Sequence, residues 1–344
     1  MTRLLKDTER WKKIIQSFAD LSVTVLADLV ADEFVFGEIA RVSREAPVLI
    51  LKHRERTVVP GGGGNAVMNL AALGVNVLPV GVVGDDEAGS LLLERLREKK
   101  IPTSGIERVK HYTTPTKTRI LAGMSHTSRQ QVVRIDREPD PLDELHPVLV
   151  NLVNAGREYA TASDAFLISD YGYGAATPRL LNFIKSNRCL ANQPVTLDSR
   201  YRLLEYERVT AATPNEPEVE EALGIKIGHD NQKLFAAGEQ LMKQMALESL
   251  VITRGRDGMV AFEKDVSPLV VPISGSDQVV DVTGAGDTVI ATFTAALAAG
   301  ADTASATRLA NFAGGIVVMK RGTASVSNKE LLAAVEQHSA AVLV

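Results

Sequence analysis

From Ser22 onward, short β-branched runs alternate with longer segments of helical periodicity, and this alternation constrains the fold more than any other feature of the chain. Strands are expected at Val23–Ala27, Val75–Val83, Ala165–Ser169, Val195–Asp198, Val209–Ala212 and Leu250–Thr253. Helices are expected near Asn65–Leu73, Glu87–Lys99, Pro178–Ser186, Pro217–Leu223 and Gln232–Met245. Strands separated by helices pair in parallel, because the helix carries the chain back to the end of the sheet where the next strand begins. A mostly parallel central sheet with helices on both faces, a three-layer α/β/α sandwich, is the expected architecture. In such sheets ligands bind beyond the carboxyl ends of the strands.

Residues 34–59 and 111–136 break the alternation. They read as alternating apolar and polar strands with no helix between them, as in Thr116-Lys117-Thr118-Arg119-Ile120-Leu121 and Gln131-Val132-Val133-Arg134-Ile135-Asp136. Antiparallel strands inserted there would form a small lid that covers a site at the sheet's carboxyl edge. No Pro/Gly/Ser linker divides the chain, so residues 1–344 are expected to form one domain with that lid.

Composition removes several function classes. The 38 basic and 42 acidic residues are mixed along the chain and give a net charge of −4, without the basic stripe that nucleic-acid binding needs. No apolar run reaches the ~20 residues required to cross a bilayer. The start of the chain carries Leu4, Trp11, Ile15 and Phe18 at helical spacing among charges, which is not a secretory leader but a helix packed on the domain or on a partner subunit. The single cysteine, Cys189, excludes an internal disulfide and fits a reducing, cytoplasmic setting. A homodimer is the expected assembly.

Two glycine clusters each precede a helical pattern. In Asp281-Val282-Thr283-Gly284-Ala285-Gly286-Asp287 the turn opens onto an Ala-rich apolar stretch, Thr288 to Ala299. Backbone N–H groups without intrahelical partners and the positive end of the helix dipole suit such a turn to developing negative charge. Asp287 would begin the helix, where a carboxylate can act as general base toward a hydroxyl; its plainer role is that of an N-terminal helix carboxylate. The second cluster, Pro60-Gly61-Gly62-Gly63-Gly64-Asn65, lets a ligand lie against the main chain, with Asn65 offering donor and acceptor to vicinal hydroxyls. It is otherwise a flexible loop.

Further polar residues stand where strands end. Asp28 and Asp32 follow the first strand and could each hold sugar hydroxyls. Asn215 and Glu218 have capping-box spacing and equally suit a hydrated magnesium ion. Thr253 and Gly255, with Gly258, make either a hairpin turn or a nucleotide contact.

Together, Gly62-Gly63-Gly64-Asn65 and Asp281–Asp287 resemble the two signatures of the ribokinase-like (PfkB) carbohydrate kinases, and the resemblance extends over nearly the whole chain. It implies an ATP- and Mg2+-dependent kinase with Asp287 as base and Gly284, Ala285 and Gly286 as the anion-receiving turn. It implies sugar contacts at Asp28, Asp32, Gly62, Gly63 and Asn65. It also implies magnesium at Asn215 and Glu218, and ATP near Asp198, Asn215, Thr253, Gly255 and Gly258, in a groove reaching Asn311, Ala313 and Val317. A K+ loop at Asp281, Thr283 and Arg321-Gly322-Thr323 is a further implication.

Within the family the chain is most similar to the kinases of D-glycero-D-manno-heptose 7-phosphate. The residues concerned are Arg41–Val48, Pro60-Gly61-Gly62, Met68–Gly74, Thr116–Arg119, Arg134-Ile135-Asp136 and Ser169-Asp170-Tyr171. This implies transfer to an anomeric hydroxyl, with Arg119, Arg134, Asp170 and Arg200 around a phosphorylated sugar. The chain departs from these kinases at Ala27, where they have Gly, at Tyr173, where they have Lys, and at Ser199-Arg200, where they have Pro-Lys. Fructose 6-phosphate, ribose or a nucleoside as acceptor, or a catalytically silent binder on the same fold, are the competing readings. Bifunctional relatives also carry a nucleotidyltransferase domain, for which 344 residues leave no room.

Overall fold

The computed structural model describes residues 2–123, 130–186, 189–275 and 280–343, so residues 124–129 of the expected lid segment lie outside the described part. The strands are β1 (Ser22–Val42), β2 (Leu49–Gly62), β3 (Asn76–Gly84), β4 (Ile106–Val109), β5 (Thr116–Gly123) and β6 (Gln130–Arg137), then β7 (Ala165–Asp170), β8 (Val195–Ser199), β9 (Ala211–Ala212), β10 (Ser249–Thr253), β11 (Met259–Glu263) and β12 (Val266–Val271). The helices are α1 (Thr2–Ser17), α2 (Gly63–Ala72), α3 (Glu87–Glu98), α4 (Val148–Ala160) and α5 (Pro178–Lys185), then α6 (Glu216–Leu223), α7 (Asn231–Gln244), α8 (Ala285–Ala298), α9 (Thr303–Val317) and α10 (Asn328–Leu343).

The main sheet runs β12-β11-β10-β9-β8-β7-β1-β3-β4. Every neighbouring pair from β10 to β4 is parallel, and only β11 and β12 run against their neighbours. Successive side chains of a strand point to opposite faces, and the core divides accordingly. Val23, Val25, Ala165 and Leu167 meet α1, α2, α3, α8, α9 and α10 on one side. Leu26, Phe166, Ile168 and Leu197 meet α4, α5, α6 and α7 on the other.

β1 is the unusual element. Its 21 residues leave the main sheet after Asp28 and continue outward, pairing antiparallel with β2 from Leu29 to Val42 and parallel with β5 from Ala31 to Glu38. With β6 on β5 this makes a small four-stranded sheet at the carboxyl edge. It overlaps the segments 34–59 and 111–136 but begins earlier, at Leu29, and its pairing is mixed rather than antiparallel throughout.

Several segments differ from expectation, among them the edge strand β4, which was not expected at all. α4 has β-branched Val148, Val150 and Val153, which mask its helical periodicity, although Leu152, Gly156 and Ala160 form the buried stripe. β9 is only two residues long, because the chain enters from Val209 without a ladder partner. The first helix packs on the domain, with the rings of Trp11 and Phe312 in edge contact at 6.0 Å.

Candidate active site

α8 begins beyond the carboxyl edge of the sheet. Its N-cap, Gly284, has φ +76°, a left-handed conformation that glycine adopts at little cost, and a Cβ there would lie 2.3 Å from the Asn65 amide nitrogen. That close approach is used. Asn65 Nδ2 donates to the Gly284 carbonyl at 3.2 Å and to Asp287 Oδ2 at 2.9 Å. Asn65 Oδ1 in turn accepts from Asn69 Nδ2 at 3.1 Å, and Asn69 accepts from Thr288 Oγ1 at 3.1 Å. On the other side the Tyr171 hydroxyl donates to Asp287 Oδ1 at 2.7 Å. Asp287 is therefore fixed from both sides and buried.

Burial pushes the Asp287 carboxyl up to about 7, with the negative charges of Asp32 and Glu218 adding to the rise and the donors Asn65 and Tyr171 opposing it. A carboxylate with this affinity for a proton suits a base that works near neutrality.

Asn65 thus differs from the sequence expectation: its amide donors and its carbonyl are engaged within the protein, so it orients Asp287 instead of offering itself to vicinal hydroxyls. Asp28 differs too. It is buried, and its two oxygens accept the backbone N–H groups of Tyr171, Tyr173, Ala175 and Ala176 at 2.8–3.2 Å, so it organises the loop after β7. Burial and the neighbouring Asp170 hold its carboxyl up at about 6 against those four donors.

Asp170, expected at the sugar, is a buried node of the same loop. It accepts from Gly172 N, Ser199 Oγ, Tyr206 Oη and two nitrogens of Arg202, a residue the sequence did not single out. Sequence spacing cannot show such a node, since its members come from three different segments.

Asp32 faces the site but is shared between the lid and the far loop, accepting from Arg119 and from Thr323 Oγ1 at 2.8 Å. Gly61 makes room for it, because a Cβ there would fall 2.4 Å from Asp32 Oδ2. Gly62 and Gly63 likewise pass close to Val30 and Ala27, so the glycine cluster is needed for strand contact as well as for any ligand. Arg119 spends its charge on Asp32, and Arg134, half-exposed on β6, pairs with Asp136 at 3.0 Å. Arg200 stands over the Tyr201 ring at 5.7 Å and makes no ion pair among the described residues.

Asp281 accepts Thr283 N–H and Gly322 N–H, both at 2.9 Å, tying the glycine turn to loop 321–323. Burial raises its carboxyl, but these donors and the charge of Arg119 outweigh that and leave it below the ordinary value. Between that loop and the lid lies a cavity of about 840 Å³ lined by Phe34, Arg119, Thr283 and Arg321.

On the other side of the α8 start a groove of about 170 Å³ is lined by Thr253, Gly255, Gly258, Ala285, Gly286 and Asn311. Ala313 and Val317, expected there, lie on the opposite face of α9 in the core, where both are buried. The groove is lined by Gly314, Gly315 and Val318, at the i+3, i+4 and i+7 positions from Asn311, as helical geometry requires. Gly315 is forced by contact: a Cβ would come 2.1 Å from the Ser274 carbonyl.

The acidic residues at the sheet edge fit a divalent cation. Asn215 and Glu218 form a complete capping box, which occupies Asn215 Oδ1 and Glu218 Oε2. Asp198 has no side-chain hydrogen bond among the described residues. Burial and the charges of Glu218, Asp287 and Asp170 raise its carboxyl well above the usual range. The sheet register places Ser169 directly beside Asp198 and sets Thr213 on its other side, and the buried hydroxyls of both lack partners. The described residues hold no cluster of three or more acidic, His or Cys side chains able to ligate a metal directly, so a divalent cation here would be held through water, with the unpartnered Asp198 carboxylate as its strongest protein acceptor.

Residues 30–330 match the model of the pfkB family of carbohydrate kinases. The chain is 40% identical over 323 residues to the bifunctional protein HldE of Geobacter metallireducens, covering 93% of this chain and 64% of that one. It is 37% identical over 324 residues to the bifunctional protein HldE of Mesorhizobium japonicum, covering 94% of this chain and 63% of that one. It therefore spans somewhat less than two thirds of these relatives. In structure it is similar to phosphofructokinase-2 of Escherichia coli in complex with potassium, with a TM-score of 0.73 at 16% identity, covering 93% of this chain and 99% of that one. It is also similar to Arabidopsis thaliana ribokinase complexed with ribose and ATP, with a TM-score of 0.68 at 19% identity, covering 92% and 99%. The chain belongs to the pfkB family of carbohydrate kinases.

Proposed function

We propose that this kinase transfers the γ-phosphoryl group of ATP to the anomeric hydroxyl of a phosphorylated sugar, with D-glycero-D-manno-heptose 7-phosphate as the acceptor. The observation that carries the reaction type is Asp287: buried, held at the N-terminus of α8 by Asn65 and Tyr171, and one residue from the groove that would take the nucleotide. In this reading the acceptor hydroxyl gives its proton to Asp287 as its oxygen attacks the γ-phosphorus, and ADP leaves. The first-turn N–H groups of α8, including those of Gly286 and Asp287, stabilise the charge on the transferring group. Asp198 and Glu218 would hold magnesium through water, and the ion would neutralise phosphate charge. Each Asp281 oxygen accepts one backbone N–H and keeps a lone pair, so the same carboxylate could also face K+.

The acceptor rests on the sequence stretches shared with heptose 7-phosphate kinases. Arg200 and Arg321, which make no ion pair among the described residues, are the cations available for its remote phosphate, because Arg119 and Arg134 are already paired. The four-stranded sheet acts as the lid, and the protein works in the cytoplasm, as a homodimer. Among the described residues no helix is long and apolar enough to cross a membrane.

A panel of sugar phosphates, free sugars and nucleosides, assayed for ADP release, tests the acceptor. Heptose 7-phosphate should give the highest kcat/KM by at least about tenfold, the factor that one extra 1.4 kcal/mol contact supplies. Turnover of unphosphorylated sugars or nucleosides alone would overturn this acceptor. Because Asp287 must be ionised to accept a proton, kcat/KM should also fall as pH drops through about 7 and reach a plateau above it.

A further inference from the structure

Tyr171 touches the carboxylate read here as the base, and its effect on that carboxylate's chemistry goes beyond holding it in place. It follows β7, and its own N–H is pinned by Asp28 Oδ2 at 2.9 Å. That contact fixes where the ring starts, and the ring delivers the hydroxyl to Asp287 Oδ1 at 2.7 Å. The other oxygen, Oδ2, already belongs to Asn65. Each Asp287 oxygen thus holds one side-chain donor, and Tyr171 is the sole protein donor to Oδ1 among the described residues.

We propose that Tyr171 is a positioning residue for phosphoryl transfer: its O–H holds Asp287 Oδ1 in place and keeps the carboxylate ionised, as an acceptor, in a site crowded with other acids. The inference rests on the reading of Asp287 as the base. The groups facing that carboxylate are Asp32 from β1, Glu218 from α6, Asp198 from β8 and the amide of Asn65 from α2, with Arg200 as the cation nearest to Tyr171 and Asp198. Three of these are acids and favour protonation of Asp287. Only two neutral donors, Asn65 and Tyr171, oppose it directly. The phenol can keep donating throughout, because burial and the Asp287 charge push its own titration far above the ordinary tyrosine range. A carboxylate oxygen has a second lone pair, so Tyr171 and the acceptor hydroxyl can share Oδ1 during the reaction.

The test is Tyr171→Phe, which keeps the ring and removes the O–H. A hydrogen bond to the charged form lowers a carboxyl's proton affinity, so its loss raises it. The acidic limb of the kcat/KM profile is expected to move up by about one pH unit. At a pH about half a unit below the native midpoint, activity would fall about eightfold more than in the native enzyme, and on the alkaline plateau the two would converge. A residue that merely supported the fold would lower activity equally at all pH values.

A second readout needs no turnover. In carboxyl-carbon NMR of the ligand-free protein, the resonance lost in Asp287→Asn identifies Asp287, and its titration should move upward in Tyr171→Phe. An unmoved titration together with an unmoved acidic limb would overturn the inference. A shifted Asp287 titration in a protein that phosphorylates nothing in the panel would leave the contact standing and overturn the kinase reading of this site instead.

Discussion

Asp287→Asn is expected to lower turnover by about 10²–10⁴-fold, the range for loss of a positioned base, while leaving nucleotide and sugar binding near native values. The amide keeps the shape of the carboxylate and can still face Asn65 and Tyr171, but it cannot accept the acceptor's proton. Steady-state kinetics together with calorimetric binding of nucleotide and sugar separate the two effects. A variant that retained more than about a tenth of native turnover would remove Asp287 from the role of base.

The second large effect falls on stability. Asp170→Ala removes the acceptor for Arg202, Ser199, Tyr206 and the Gly172 N–H at one buried point. Breaking a buried ion pair from one side costs about 3–5 kcal/mol, because the remaining charge is left uncompensated. Arg202 is still 24% exposed, so the lower end of that range, about 3 kcal/mol, is the expected loss. Denaturant unfolding measures it. A loss below about 1 kcal/mol would show that water replaces Asp170 around Arg202.

The parts of this architecture that local chemistry dictates were legible in the sequence. The α/β alternation placed β3, β7, β8 and β10, and the start of β1, within a residue or two, but missed the short edge strand β4 and the length of β1, and the glycine turn before an Ala-rich stretch marked the start of α8 and Asp287 within it. What the sequence hid were satisfied polar groups and face assignments. Asp28, Asp170 and Asn65 read as ligand residues because nothing local shows that backbone N–H groups, Arg202 and Asp287 engage them. Ala313 and Val317 were placed in the groove by resemblance, whereas the periodicity counted from Asn311 selects Gly314, Gly315 and Val318. Tyr171 carried no spacing signal at all, since its partner lies 116 residues away along the chain.

The continuity of β1 has a mechanical meaning. One strand begins as a central member of the main sheet and ends as the spine of the cover, with Asp28 on the last rung of the first and Asp32 four residues into the second. Such a strand is a lever. Any swing of the outer sheet would pivot at the residues that carry the loop of Tyr171 on one side and the contact to Thr323 on the other. Asp28 and Asp32 thus tie the loop of Tyr171 and loop 321–323 to a single strand that belongs to both sheets.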